Sequence, residues 1–266
     1  MISSVFELPP LDLQLVADEI HIWMGDLDQA AAVHYQFLQM LSVDEHMRAG
    51  RFHFERDQKR FIARHGILRE LLGSYLGVKA NEIRLSMGKN GKPRIAETSG
   101  KGTVHFNLSH SDGLALFAFA RNHEIGVDLE HIRDISEMEQ IVDRFFSPGE
   151  KTFLRVLPQN LRRNAFFNCW TRKEAFIKAI GVGLSWSLDK FDVAPVSGEG
   201  ETPPISARDL GEDADWAIHT LKPDSEFVGA LAVKCRGVAL RCFSWMAAGA
   251  NLRTVADKTV HLEAVR

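Results

Sequence analysis

The chain has 266 residues, 45% of them hydrophobic, with 32 Lys and Arg against 35 Asp and Glu and a formal charge of −3. That composition suits a globular protein long enough to bury one large core or two smaller ones. A near-neutral total excludes a general nucleic-acid binder, whose footprint is basic, and no run approaches the roughly 18 apolar residues of a membrane span. The three cysteines, Cys169, Cys235 and Cys242, form no CxxC pair, which points to a reducing compartment and not to a disulfide framework or zinc site. The N-terminal Met-Ile-Ser-Ser-Val-Phe-Glu-Leu-Pro-Pro lacks the basic-then-apolar pattern of a signal peptide. The expected location is the cytoplasm, with neither a nucleic acid nor a membrane as partner.

Phe61, His65, Leu68, Leu72 and Leu76 recur at spacings of three or four, which predicts a helix with one apolar face. Asp57 is placed to cap its start. Residues 83–85 and 93–95 read as short strands joined through Gly88-Lys-Asn-Gly-Lys92, where Asn90-Gly91 is a hairpin signal. Phe106-Asn-Leu and the apolar run 114–120 read as two further strands. Past Asn122 the style repeats. Ile125-Gly-Val-Asp-Leu-Glu130 reads as a strand, and Ser147-Pro148 as the N-cap and first residue of a helix. A long helix over about 161–180 is stopped by Gly181. Residues 197–204, rich in Gly, Pro, Ser and Glu, read as a loop. Strands follow near 216–219, 227–233 and 239–243. Each half offers a long helix and several short strands, so the expected fold is α+β, two units side by side over residues 1–122 and 123–266.

Asp128 and Glu130 are two apart on a predicted strand, so their carboxylates project to one face. Such a pair repels itself unless a cation lies between, and an all-oxygen ligand set suits Mg2+, which keeps waters and accepts phosphate oxygens. Taken alone, D-x-E is more often a solvated strand end. On the predicted helix Glu174 and Lys178 are four apart and share a face. They are either a surface ion pair or a third carboxylate beside a phosphate-binding cation. Phe166, Cys169, Trp170, Ile177 and Ile180 form an apolar stripe read as core.

The total charge hides a local one. Arg48, Arg51, Arg56, Lys59, Arg60, Arg64 and Arg69 are opposed between 48 and 69 only by Glu55 and Asp57. That window carries +5 and the remainder −8, a pattern suited to phosphates on a small ligand or to a solvated helix face. The turn Met87-Gly88-Lys89-Asn90-Gly91-Lys92 is a hairpin whose glycines also let backbone N–H groups approach a nucleotide. It is not a Walker loop, because no Ser or Thr follows the lysine. Asn107-Leu108-Ser109-His110-Ser111-Asp112 collects polar groups at a strand end. A Ser109–His110–Asp112 hydrolase triad is disfavoured, because neighbours on a strand face opposite ways.

In order along the chain, Gly91-Lys-Pro, Phe106-Asn-Leu-Ser-His110, Gly126-Val-Asp-Leu-Glu130, Phe145-Phe-Ser-Pro-Gly-Glu150, Trp170-Thr-Arg-Lys-Glu-Ala-Phe-Ile-Lys178 and Gly181-Val-Gly-Leu184 resemble the motifs of the 4'-phosphopantetheinyl transferases, in their larger Sfp-type branch. Arg51-Phe-His-Phe-Glu-Arg-Asp57 with Arg64 is similar to the family's N-terminal basic helix start. The resemblance covers about residues 45–192; the first 40 residues and the tail after about Trp245 carry none of it. It implies a pseudo-twofold fold of two similar α+β subdomains, each a small, mostly antiparallel sheet packed on a long helix, with coenzyme A between them. The first would hold the phosphate and adenine side, the second the carboxylates.

It also implies Mg2+-dependent transfer of phosphopantetheine from coenzyme A to a serine of an acyl or peptidyl carrier protein, releasing adenosine 3',5'-bisphosphate. Asp128, Glu130 and Glu174 would hold the metal, and Lys178 would neutralise the pyrophosphate and its leaving oxygen. Glu174, directly or through a water, is the candidate base for the serine proton. Arg48 and His110 would reach the 3'-phosphate, the turn 87–92 would border the adenine, and Asn107, Leu108 and Ser109 would complete the coenzyme A site. A monomer is expected. The alternative is a non-enzymatic module that binds coenzyme A and docks to a synthase.

Overall fold

The computed structural model describes residues 6–88, 90–96, 104–183, 186–193, 206–207, 216–235 and 237–247. In chain order the elements are β1 (Glu19–Asp26), α1 (Ala31–Leu38), α2 (Val43–Ala49), α3 (Glu55–Leu76), β2 (Leu85–Met87), β3 (Pro93–Ile95), β4 (Val104–Ser111), β5 (Leu114–Arg121) and β6 (Ile125–His131). Then come α4 (Met138–Phe145), α5 (Pro148–Val156), α6 (Gln159–Ile180), β7 (Phe191–Asp192), β8 (Ser206–Ala207), β9 (Ala217–Leu221), β10 (Phe227–Val233) and β11 (Ala239–Ser244).

The two long helices are each 22 residues and each stops at a left-handed glycine, Gly77 and Gly181, both with φ of 69°. Only a residue without Cβ takes that conformation at little cost, which is why both apolar stripes end where they do. Ser147 caps α5 and Glu150 completes the reciprocal bond to its backbone, a capping box with Pro148 in the first turn.

Two sheets carry the fold, one in the order β11-β1-β5-β4 and one in the order β6-β10-β9. Alternate residues of each sheet divide between two cores. Ile20, Ile22, Leu116, Ala118 and Ala120 of the first sheet meet Val127, Leu129, Leu221 and Leu231 of the second. On its other face the first sheet packs Phe117 and Phe119 on Ile67, Leu68 and Leu72 of α3. The second packs Ala230 and Ala232 on Phe176 and Ala179 of α6. The molecule is therefore layered helix, sheet, sheet, helix: two α+β units, each a small, mostly antiparallel sheet on a long helix.

Several boundaries differ from the sequence expectation, each for a physical reason. The helix α3 begins at Glu55 with Phe54 as its N-cap, so Asp57 lies in the first turn, where its charge suits the positive helix end without capping it. The first hairpin strand is Leu85–Met87, two residues later than 83–85, paired with β3. The strand β1 has no counterpart in the sequence reading, although it sits between β11 and β5. Its residues are buried on both faces, with His21 as inaccessible as Ile20 and Ile22, so the two-residue alternation that marks a half-buried strand is absent. The strand β11, expected among those of the second half, returns to pair parallel with β1. Residues 197–204 lie outside the described residues.

Gly126 opens the strand that carries the carboxylates. A Cβ there would lie 2.1 Å from the Ala175 carbonyl oxygen and 2.3 Å from the Ala179 nitrogen. The missing side chain lets β6 lie against the backbone of α6. Gly126, Asp128 and Glu130 alternate on one face of β6, so this close approach brings the carboxylates to the helix that bears Glu174 and Lys178.

Candidate active site

The site lies where the edge strands β4 and β6 of the two sheets meet. No backbone ladder joins these strands; side chains do. Asn107 Oδ1 accepts from the Val127 N–H at 2.8 Å, and the Ser109 hydroxyl donates to Asp128 Oδ1 at 2.9 Å. The Ser111 hydroxyl donates to Glu130 Oε2 at 3.1 Å and accepts from the His131 N–H at 3.0 Å. Residues 107, 109 and 111 alternate on one face of β4, so a single strand face supplies all the stitches.

Lys178 reaches across from α6. Its ammonium donates to Asp128 Oδ1 at 2.7 Å and to the Ser109 hydroxyl at 2.9 Å. Asp128 is 4% exposed, yet its second oxygen, Oδ2, has no hydrogen-bond partner, and neither does the buried Oε1 of Glu174. Burial, then the neighbouring Asp128 and Glu130, push the Glu174 carboxyl up to about 7. Glu130 is also pushed up, by burial and then by Asp128. Glu174 and Glu130, both raised beside Asp128, and two acceptor atoms sealed from water and unpaired mark a local deficit of positive charge.

Among the described residues no three His, Cys, Asp or Glu side chains form a ready-made metal cage. Lys178 on Asp128, and Arg133 at 3.6 Å from Glu130, supply the counter-charge instead. The donor chemistry nevertheless fits a hard divalent cation, since the unpaired atoms are carboxylate oxygens and lie on residues that repel each other.

The neighbouring lysine of the same helix has different surroundings. Lys173 is fully buried, bonded to Glu150 Oε2 at 2.9 Å and to the carbonyls of Leu188 and Phe191 at 2.7 and 2.6 Å. Its partner Glu150 also accepts from the N–H groups of Ser147 and Val193. Trp170 stacks with Phe146 and Phe166, and Phe166, Cys169 and Ile177 are buried, as the stripe predicted. The motif's Lys173 therefore belongs to the core with Ala175 and Phe176, and its Glu174 and Lys178 face the cleft.

On the other side of the site the basic window sorts itself. Four of its seven cations are paired: Arg56 with Asp57, Lys59 with Glu55, Arg60 with Asp28 and Asp112, Arg69 with Glu45. Arg64 has no acidic partner among the described residues, and its Nε is enclosed without a hydrogen bond. Burial and the nearby Arg48 pull it down to about 10. Both guanidiniums lie over the Phe61 ring, at 5.7 Å for Arg48 and 5.4 Å for Arg64, with His65 stacked on that ring at 4.0 Å. His110, exposed at its outer edge, is lowered to about 4 by the protein packed round its inner edge, then by Arg64 and Lys178. Two unpaired guanidiniums beside a neutral imidazole that can donate one hydrogen bond make an anion site. Arg64 stood in the sequence as one of seven cations and with the basic helix start; Arg48, Arg51 and Arg64 are left without an acidic partner among the described residues, and of these three Arg64 is the one that is not exposed.

The hairpin turn docks onto the second unit. The Asn90 side-chain amide donates to the Gly181 carbonyl at 2.6 Å. The Lys92 ammonium donates to the carbonyls of Ile125 and Ala179 at 2.8 and 3.2 Å, and burial pulls it down to about 8. Its side chain fastens the two units together, where sequence placed it beside a nucleotide. Asn90, Gly91, Leu108, Glu174, Ile177 and Lys178 line a cleft of about 260 Å³ at this junction. Met87 is exposed on β2, Gly88 closes the turn through its N–H to the Lys92 carbonyl, and Lys89 lies outside the described residues. The structure thus brings Asn107, Leu108, Ser109, Asp128, Glu130, Glu174 and Lys178 together, with Arg48 and His110 on the flank. It does not assemble a hydrolase triad: Ser109 faces Asp128 and Lys178, His110 points the other way, and Asp112 pairs with Arg60.

Carboxylates with two unpaired oxygens, set beside guanidiniums without acidic partners among the described residues, are donor chemistry suited to a phosphate-bearing ligand. Comparison with known proteins gives the class a name. Residues 29–122 match the model described as "4'-phosphopantetheinyl transferase, N-terminal", and residues 124–232 that of the "4'-phosphopantetheinyl transferase superfamily". The 4'-phosphopantetheinyl transferase HetI of Nostoc sp. is 38% identical over 88% of this chain and 95% of its own. The 4'-phosphopantetheinyl transferase Sfp of Bacillus subtilis is 32% identical over 59% of this chain and 68% of its own. The L-aminoadipate-semialdehyde dehydrogenase-phosphopantetheinyl transferase of Homo sapiens is 30% identical over 74% and 68%. The chain belongs to the 4'-phosphopantetheinyl transferase family, Sfp type, and is an enzyme of that class. Among the described residues no helix is long and apolar enough to cross a membrane.

Proposed function

We propose that the protein transfers the phosphopantetheine arm of coenzyme A to a serine of an acyl or peptidyl carrier protein, with Mg2+, and releases adenosine 3',5'-bisphosphate. The observation that carries this reading is the unpaired Asp128 Oδ2 and Glu174 Oε1 across from the unpaired Arg64 and Arg48. Coenzyme A has both a pyrophosphate, which needs a metal, and a separate 3'-phosphate, which needs cations. The division of the chain into 1–122 on the phosphate and adenine side and 123–266 on the carboxylate side belongs to the same proposal.

Asp128, Glu130 and Glu174 would hold the metal, which when bound neutralises charge that develops on the pyrophosphate. Lys178, already aimed at Asp128 and Ser109, binds the pyrophosphate and stabilises the leaving oxygen of the adenosine bisphosphate. The carrier serine oxygen bonds to the pantetheine-side phosphorus while the bond from that phosphorus to the bridging oxygen breaks. Glu174 takes the serine proton, directly or through a water; its burial beside two other carboxylates makes it more basic than an ordinary glutamate. Arg48, Arg64 and His110 hold the 3'-phosphate. Ser109 orients Lys178 and Asp128, while Asn107 and Lys92 keep the two units in register. The protein acts as a monomer in the cytoplasm.

The 3'-phosphate assignment has a direct test. Arg64→Met keeps an apolar stem on Phe61 but removes the guanidinium. A charge-assisted hydrogen bond is worth about 1.5–3 kcal/mol, so the KM for coenzyme A should rise about ten- to a hundredfold. The KM for 3'-dephospho-coenzyme A should not move. Steady-state kinetics with both substrates decide it, and an equal rise for both would refute the assignment.

A further inference from the structure

One oxygen of Glu130 has two partners, a hydrogen-bond donor and an ion-pairing guanidinium that itself donates to the His131 carbonyl at 3.4 Å. The Ser111 hydroxyl donates to Oε2 at 3.1 Å, and the Arg133 guanidinium lies 3.6 Å from that same atom. The two have opposite consequences for the carboxylate. Ser111 sits on the stitching face of β4 and is 9% exposed; it also accepts from the His131 N–H, so its hydroxyl is oriented by backbone. Its bond draws Glu130 toward the seam where Asp128 lies and leaves Oε1 free. Arg133 is more than half exposed, two residues past the end of β6. A shift toward its guanidinium takes Glu130 out of the seam into solvent.

We infer that Ser111 is a positioning residue that holds Glu130 in the metal-binding arrangement against the pull of Arg133. This rests on the reading of Asp128, Glu130 and Glu174 as metal ligands and deepens it by naming what sets Glu130. Partners that orient a ligand from behind commonly change metal affinity by about ten- to a hundredfold. An exposed ion pair is weak, and freeing Glu130 from it changes affinity by about fivefold at most.

The test is direct Mn2+ binding, by electron paramagnetic resonance of the free ion, to the full-length protein without coenzyme A or carrier. Ser111→Ala should weaken Mn2+ binding about tenfold or more, and Ser111→Thr, which keeps the hydroxyl, should restore most of it. Arg133→Ala, at an exposed position, should tighten binding about two- to fivefold, and should do so by a larger factor in the Ser111→Ala background than in the wild type. That non-additivity separates positioning from a merely structural role, which predicts the same factor in both. Wild-type affinity in Ser111→Ala, or additive effects of the two changes, overturns the inference and leaves the metal reading standing. No Mn2+ binding by the wild type overturns the metal reading and the inference with it.

Discussion

Glu174→Gln is expected to reduce phosphopantetheine transfer about a thousandfold while leaving the protein folded and more stable than the wild type. The rate falls because the amide can neither accept the serine proton nor serve as a charged metal ligand, and a positioned base alone is commonly worth a hundred- to ten-thousandfold. Stability moves the other way because the wild-type carboxylate is buried, lacks a donor on Oε1 and faces Asp128 and Glu130. Removing one of three mutually repelling charges relieves the fold, a trade of stability for function common at active sites. Initial rates of carrier modification together with a melting curve measured without metal give both quantities. Activity within tenfold of the wild type would contradict the assignment of Glu174. A melting temperature lowered as by a core mutation would contradict the charge argument.

Lys173→Met should be the most destabilising single change in the Trp170–Lys178 motif, by about 3–5 kcal/mol. It strands the charge of Glu150 in a core where both side chains are fully buried, and it leaves the Leu188 and Phe191 carbonyls without their donor. The effect should not be local to α6. Glu150 fastens the start of α5 through the Ser147 N–H and the residue that follows β7 through the Val193 N–H, so an unsettled carboxylate loosens both. The double variant Lys173→Met with Glu150→Gln should recover part of the loss, because no charge is then left unpaired. Urea unfolding of the three proteins checks this; a loss below 1 kcal/mol for the single variant would show that the pair contributes little. The folded fraction should retain turnover near that of the wild type, since Lys173 points away from the cleft.

Much of this was visible in the sequence because local rules and burial agree there. The long helices have stripes at spacings of three and four and glycines that stop them, and α5 has its capping residues in order. The Asp128–Glu130 pair was legible because a strand puts alternate residues on one face. The strand β1 was not, since its neighbours β11 and β5 arrive from distant parts of the chain and the second face is covered by α3 and Phe243. The asymmetry of the two motif lysines was hidden too. Lys173 and Lys178 have the same chemistry, and what separates them is which side chain waits on the facing element, Glu150 or Asp128. Likewise the basic window showed that cations were in excess between 48 and 69 but not that Arg60 and Arg69 would be consumed by Asp28, Asp112 and Glu45. Lys92 was read beside a nucleotide as part of a glycine turn, and the local pattern did not announce that its ammonium would donate to two carbonyls of the neighbouring unit.

In the proposed function the cationic and carboxylate sides of this cleft act together on one polyphosphate and deliver its pantetheine side to a serine. The most direct test is intact-mass analysis of apo carrier proteins from fatty-acid, polyketide and nonribosomal-peptide systems after incubation with the wild-type protein, coenzyme A and Mg2+. At least one carrier should gain the mass of a single phosphopantetheinyl group, on its serine, with stoichiometric release of adenosine 3',5'-bisphosphate and loss of both products on chelation of the metal. Tight binding of coenzyme A with no mass gain on any carrier, or a gain that persists in excess chelator, would contradict it.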